Sequence, residues 1–321
     1  MKTGVNVLFT VASPEVVISY KLWLTEADLE IDNFTNYGSI TSGSQSTAGV
    51  LGHIRSTSEN STINITNCIN NGEITGTGKG TAGIVGFANG SKTTIKNCVN
   101  EGRINGKGFG TGGIFGNTSD NLTATEIIIE NCTNNGDVSS TSEATGGIFG
   151  YDGVNPSTKL SNTIRISDSV NNGDVTGTSN GTGGIAGASL LNSSYTTFII
   201  ENSDNYGSIN GVNYVAGIAG LIRVSKSESY VTNCFNFGDV KATFNDGTIG
   251  CGGVVGTARV NVFNCGCYYL VNLTVKNISY QSVNVNEIGT PGFIGLNYES
   301  GCKNHENNRL INLDKSEYKE D

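Results

Sequence analysis

The stretch TTIKNCVNEGRINGKGFGTGGIFG, residues 93–116, decides the fold. TIKNCV alternates apolar and polar side chains and stops at Asn100-Glu101-Gly102, which reads as a short strand running into a turn. Arg103-Ile104-Asn105 reads as a second short strand, bounded by Gly106 and Gly108, and Gly113-Ile114-Phe115-Gly116 as a third. Three short strands joined by glycine-rich corners make one coil of a parallel β-helix, because glycine supplies the positive φ that sharp corners need.

The same pattern recurs with a period of roughly 34 residues, which is the mark of a solenoid or an array. Asn-x-Gly is followed roughly 14 residues later by a Gly-[Ile/Val]-hydrophobic-Gly box, in seven copies. They read NYGSI…GVLG (36–52), NNGEI…GIVG (70–86), NEGRI…GIFG (100–116), NNGDV…GIFG (134–150), NNGDV…GIAG (171–187), NYGSI…GIAG (205–220) and NFGDV…GVVG (236–256). The expected fold is all-β: a right-handed parallel β-helix of about seven to eight coils with atypical capping ends. Ile74, Ile104, Val138, Val175, Ile209 and Val240 then form one inward ladder, and Ile84, Ile114, Ile148, Ile185, Ile218 and Val254 another. Each such side chain, once buried, contributes roughly 1.5–3 kcal/mol.

Four segments follow from where the rhythm holds. Residues 1–30 are an N-terminal cap containing VVISYKLWL (16–24) and Trp23. Residues 31–266 are the solenoid, 267–302 a divergent last repeat and C-terminal cap with a stray Gly292-Phe293-Ile294-Gly295 box, and 303–321 a charged, frayed tail. Polar inserts separate Gly52 from Ile63, Gly116 from Ile127, Gly150 from Ile164 and Gly187 from Phe198. Inserts at one point of a repeat gather on one face, which is often the binding face.

Composition narrows the function. The 321 residues include 45 glycines at fixed offsets from Ile and Val but only 3 prolines, so the glycine is architectural rather than a sign of disorder. A net charge of −9 with no basic stripe repels phosphate backbones and argues against nucleic acid. No run of 18 apolar residues is present, so no transmembrane segment is expected. VNVLFTVAS (5–13) is broken by Asn6 and lacks a small-x-small cleavage site; it reads as a terminal strand, not a secretory signal.

Several side-chain rows invite a functional reading. Asn67, Asn97, Asn131, Asn202, Asn233 and Asn264 share one site, with Asn33 leading and Asp168 substituting once; Asn36, Asn70, Asn100, Asn134, Asn171, Asn205 and Asn236 stand three residues later. Stacked carboxamides hydrogen-bond from coil to coil and satisfy corner backbone groups, so both rows read as structural. The alternative is a polar strip for a repeating polymer such as a glycan. Cys68, Cys98, Cys132, Cys234 and Cys265 follow the first Asn row, with Ser169 and Ser203 in the remaining places, which argues for small buried residues rather than a required disulfide. Cys251, Cys267 and Cys302 lie outside that row, and Cys265-Gly266-Cys267 lacks the spacing of a zinc site. His53 reads as solvated at the start of a loop, and His305 lies in the tail. Glu73, Asp137, Asp174 and Asp239 share an outward position with Ser39 and Arg103. No catalytic, cofactor-binding or metal residues are assigned, and no cofactor is expected.

The Gly-[Ile/Val]-hydrophobic-Gly box, seven times in phase with Asn-x-Gly, resembles the GLUG motif over about 31–295, with Ile or Val in place of its Leu. That motif repeats in bacterial surface proteins, including adhesin-like proteins and the N-terminal region of streptococcal IgA-cleaving metallopeptidases. The Gly-Gly-Ile pieces are also similar, more weakly, to repeats of chlamydial polymorphic outer-membrane proteins. The resemblance implies a cell-surface or secreted β-solenoid and carries no catalytic residues across; the zinc-protease signature His-Glu-x-x-His does not occur in this sequence. The expectation is a non-catalytic, adhesin-like scaffold presenting loops to host or matrix proteins or glycans. The alternatives are a glycan-active β-helix enzyme, a polysaccharide lyase or hydrolase, or the repeat domain of a larger surface protein.

Overall fold

The computed structural model describes residues 5–6, 21–24, 28–56, 60–118, 124–153, 162–189, 196–224, 228–243, 250–268, 272–275, 278–281, 292–297 and 309–311. Every regular element among them is a β-strand. The strands stack into sheets of 9, 9, 15 and 9 strands, parallel except for one antiparallel pair, Asn272–Val275 with Ile278–Gln281. The chain is an all-β parallel solenoid. From Asn36 to Asn236 it completes six turns in register, one per amide–amide hydrogen bond, slightly fewer than the coils counted from the sequence.

The coil that contains 93–116 shows how the sequence makes each turn. A long strand, Lys92–Lys96, alternates Thr93 and Ile95 inward with Lys92, Thr94 and Lys96 outward. Asn97 then takes φ 55° and ends it. A two-residue Asn strand, Val99–Asn100, follows, then the Ile strand Ile104–Gly106. Gly110 (φ 76°) turns the chain into the Thr strand Thr111–Gly112, and after a bend at Gly113-Ile114 the box strand Phe115–Asn117 closes the coil. The sequence reading expected three strands per coil; there are five extended segments. TIKNCV is cut at Asn97 by its left-handed backbone, and the Gly-hydrophobic-hydrophobic-Gly box contains a bend as well as a strand.

Registration is residue for residue. Ile40, Ile74, Ile104, Val138, Val175, Ile209 and Val240 pair in sequence along the Ile strands. Ile84, Ile114, Ile148, Ile185, Ile218 and Val254 form the second expected ladder, all fully buried. With Ile63, Ile65, Ile95, Ile127, Ile129, Ile164 and Ile166 from the long strands they make one continuous core. Burial of such aliphatic rows, rather than any single coil, holds the stack together.

The ends differ from the middle. Val5–Asn6 pairs with Leu29 and Glu30, and Lys21–Leu24 pairs with His53 through Ser56, so the expected cap adds strands to the first coil. At the other end Gly292–Asn297 pairs with Cys251–Ala258 across a register shift. Arg309–Ile311, read from the sequence as part of a frayed tail, pairs with Gly266–Tyr268. Its Leu and Ile at 310 and 311 continue a sheet that the surrounding charges had obscured.

Candidate functional surface

Two asparagine rows meet at the corner between the long strand and the Ile strand. In the inner row each amide is buried and donates twice. Asn100 Nδ2 donates to Gly102 O at 2.8 Å in its own coil and to Asn134 Oδ1 at 2.7 Å in the next. The same pair of bonds repeats at Asn36, Asn70, Asn134, Asn171 and Asn205. The run ends where Asn236 Nδ2 donates to Cys267 Sγ at 3.7 Å.

This inner row explains why Asn-x-Gly travels with the Gly box. The Asn134 carboxamide lies against the Cα of Gly113, where a Cβ would fall 2.4 Å from Asn134 Cγ and 2.1 Å from Gly147 O. Asn100 faces Gly83, Asn171 faces Gly147 and Asn205 faces Gly184 in the same way. The Asn side chain and the first box glycine fill one space across the coil, so neither motif works without the other.

In the outer row the amides are exposed. Asn33, Asn67, Asn97, Asn131, Asp168, Asn202, Asn233 and Asn264 all have φ between 48° and 55°, the left-handed region that Asn and Asp tolerate best after Gly. Asn97 Nδ2 donates to Asn67 Oδ1 at 3.2 Å, Asn131 Nδ2 to Asn97 Oδ1 at 2.8 Å, and Asn233 Nδ2 to Asn202 Oδ1 at 3.1 Å. At the first coil Asn67 Nδ2 and Thr66 Oγ1 donate to Asp32 Oδ1, which holds that exposed carboxyl below its usual range.

The described cysteines are all buried in the core. Cys98 Sγ donates to Lys96 O at 3.3 Å and Cys132 Sγ to Glu130 O at 3.4 Å; Ser169 Oγ and Ser203 Oγ make the same bond to the residue two before them, each at 2.8 Å. The position needs a small X–H donor, which is why Cys and Ser interchange. The neighbouring Cys132 thiol and burial push the Cys98 thiol up to about 12, and burial does the same to Cys251 and Cys267. Cys302 lies outside the described residues. Among those described, no three His, Cys, Asp or Glu side chains are placed to hold a metal ion.

His53 is not at the start of a solvated loop. It stands in the strand Leu51–Ser56, half-buried, with Nδ1 2.8 Å from Ser46 Oγ and its ring stacked on Phe87 at 4.6 Å. His305 lies outside the described residues. The acidic outward row is as expected: Asp137, Asp174 and Asp239 are exposed, and Asp137 reaches Arg103 at 3.7 Å.

The four inserts that the sequence marks leave from one corner, between the box strand and the next long strand: after Ser56, Thr118, Gly153 and Ser189; the lengthened connection between Val240–Ala242 and Cys251–Ala258 stands at a different corner. The coil at Asn89-Gly90-Ser91 crosses the corner of those four with no insert, using Gly90 at φ 72°. Beneath it runs a polar row that the sequence reading missed: Ser61, Ser91, Thr125, Asn162, Thr196 and Ser229, each buried at or just before the start of its long strand. Thr125 Oγ1 accepts from Gly90 N at 2.9 Å, Asn162 Oδ1 from Thr125 N at 3.0 Å and Ser229 Oγ from Phe198 N at 3.0 Å. A polar residue at the head of these six runs was the available signal. The row anchors the roots of the inserts to the core.

No family model matches the sequence, and no curated protein does. The fold is similar to the crystal structure of a "putative immunoglobulin A1 protease from Bacteroides ovatus", with a TM-score of 0.50 and 19% identity over 89% of this chain and 78% of that one. At that identity the likeness is one of fold: this chain and that protein share a β-solenoid architecture.

Proposed function

We propose that the chain is a non-catalytic, adhesin-like β-solenoid of the GLUG-repeat kind, displayed at a cell surface or secreted, whose inserts contact host or matrix partners. The observation that carries this reading is the common exit of four inserts, after Ser56, Thr118, Gly153 and Ser189, at one corner, rooted in a buried polar row on coils that stack in register from Asn36 to Asn236. Such a scaffold spaces variable loops along a rigid edge. A binding array needs that arrangement, and a single reaction centre does not.

Protease shaving of intact source cells, followed by mass spectrometry of peptides from 53–62 and 151–163, tests it. Release of those peptides without lysis is the expected result. Their appearance only after lysis would defeat the surface reading.

A further inference from the structure

The corner that carries the outer asparagine row has two more rows beside it. The first is a floor of half-buried β-branched side chains, Thr35, Ile69, Val99, Thr133 and Val170, paired in register from coil to coil. The second is the middle residue of each Asn-x-Gly. It is exposed in five coils and half-buried at Tyr206 and Phe237. Tyr37, Asn71, Asn135, Asn172, Tyr206 and Phe237 stand there, with Glu101 in the remaining coil: planar side chains without exception, in a chain rich in Ser and Thr.

The geometry points to this three-row strip as a binding site for an extended, uncharged polysaccharide. The site is separate from the insert corner.

Four features favour that occupant. Asn97 donates once, to Asn67, and accepts once, from Asn131, which leaves one N–H and one lone pair of its amide facing water. Asn135 does the same between Glu101 and Asn172. Neighbouring coils lie ~4.8 Å apart, so the strip repeats one free donor and one free acceptor at a spacing close to a sugar ring. The amides are held by their neighbours before any ligand arrives, so little side-chain freedom is lost on binding. Tyr37, 71% exposed, offers a bare ring at one end, and Tyr206 stacked on Phe237 at 4.7 Å continues the aromatic edge at the other. Aromatic faces take the apolar face of a sugar, and planar amides take its vicinal hydroxyls.

The charge and backbone exclude the nearest rivals. Glu101 and Asp168 lie in the strip and the chain carries −9, which disfavours an acidic polymer. The Asn strands from Ile69–Asn70 to Val170–Asn171 already pair on both sides, so along them no backbone edge is open for a peptide to join as an added strand; Thr35–Asn36 is the edge strand of this sheet.

Affinity gel electrophoresis of the full chain in hydroxyethylcellulose, galactomannan and xyloglucan gels tests the assignment, with polygalacturonate as the acidic comparison. The expected result is retardation by at least one neutral polymer and none by polygalacturonate. The variants Tyr37→Ala with Asn71→Ala, and Asn135→Ala with Asn172→Ala, change only exposed side chains, and each should weaken that retardation about tenfold. Replacement of 154–161 by a Gly-Ser linker should leave it unchanged. No retardation by any neutral polymer, or retardation that survives both double variants, overturns the strip. Loss on replacing 154–161 alone also overturns it, and leaves the insert reading of the function standing.

Discussion

Asn97 and Asn100 sit three residues apart on one corner of one coil, and the fold uses the same amide in opposite ways. Asn97 is there for its backbone: φ 55° is a conformation that Ala or Leu adopts only at a cost, and its side chain is exposed. Asn100 is there for its side chain, which is fully buried and makes three hydrogen bonds: two donated, to Gly102 and Asn134, and one accepted, from Asn70. One row sets the direction of the chain and the other holds the coils at their spacing. Equal recurrence in a sequence therefore does not mean an equal role.

That contrast can be broken most sharply in the inner row. Asn134→Leu strands Asn100 Nδ2, Asn171 Oδ1 and Gly136 O in the core, and should cost about 4 kcal/mol in a urea unfolding experiment. Its structural partner tests the same space from the other side. Gly113→Ala puts a Cβ 2.1 Å from Gly147 O and 2.4 Å from Asn134 Cγ, and should cost about 3 kcal/mol by the same measurement. If Gly113→Ala were silent, the coupling of the two motifs through one shared space would be wrong.

Alkaline pH probes the thiols buried in the core. Cys98, Cys251 and Cys267 are held up to about 12 in the folded state, against an ordinary thiol near roughly 8.5 in the unfolded chain. Below that value both states keep their protons and nothing changes with pH. Above it the unfolded chain loses protons that the folded one retains, so stability falls as pH rises from about 8.5 toward 12, by about 1–2 kcal/mol per thiol at pH 10. Urea midpoints at pH 7.5 and pH 10 should show the drop, and the triple change Cys98→Ser, Cys251→Ser, Cys267→Ser should make it smaller without abolishing it, because burial also pushes up the Cys234 thiol and the Cys68 thiol is raised beside its neighbour.

The outer row should respond more gently. Asn97→Ala loses the left-handed preference and two exposed hydrogen bonds, and should cost about 1 kcal/mol; Asn97→Gly, which keeps the φ, should cost only a few tenths. Equal losses in the two variants would assign the row to its hydrogen bonds instead. The smallest effect is expected at Thr111→Val. Thr111 Oγ1 is buried without a hydrogen-bond partner, as are Thr47, Thr81, Thr145 and Thr182 in the same row, and the chain itself places Val215 opposite Thr182. Unfolding should shift by no more than about 0.5 kcal/mol, or toward higher stability.

The inserts were legible as inserts because they interrupt a strict period, and their common corner follows from the register of Gly52, Gly116, Gly150 and Gly187. The strip was legible only in part: the outer asparagine row and a glycan strip as its alternative were readable from the period, whereas the row at the middle of Asn-x-Gly was not, because its letter changes from Tyr37 to Asn71 to Glu101. His53 misled because a residue just after a box looks like the start of a loop, whereas the box strand runs on to Ser56 and carries the ring onto Phe87. Arg309–Ile311 misled because charges on both sides hid a strand of three residues.

The sequence by itself determined the repeat, the parallel stacking and the aliphatic ladders, since a period of glycine and Ile/Val at fixed offsets admits one economical way of burying its apolar face. Only the tertiary structure decided which asparagine turns inward, why the first box glycine can bear no side chain, and which outward residues align into a strip. Those are contacts between coils. They depend on the left-handed backbone at Asn97 and its equivalents, which rotates the following residues by a corner that no alternation of polar and apolar letters records.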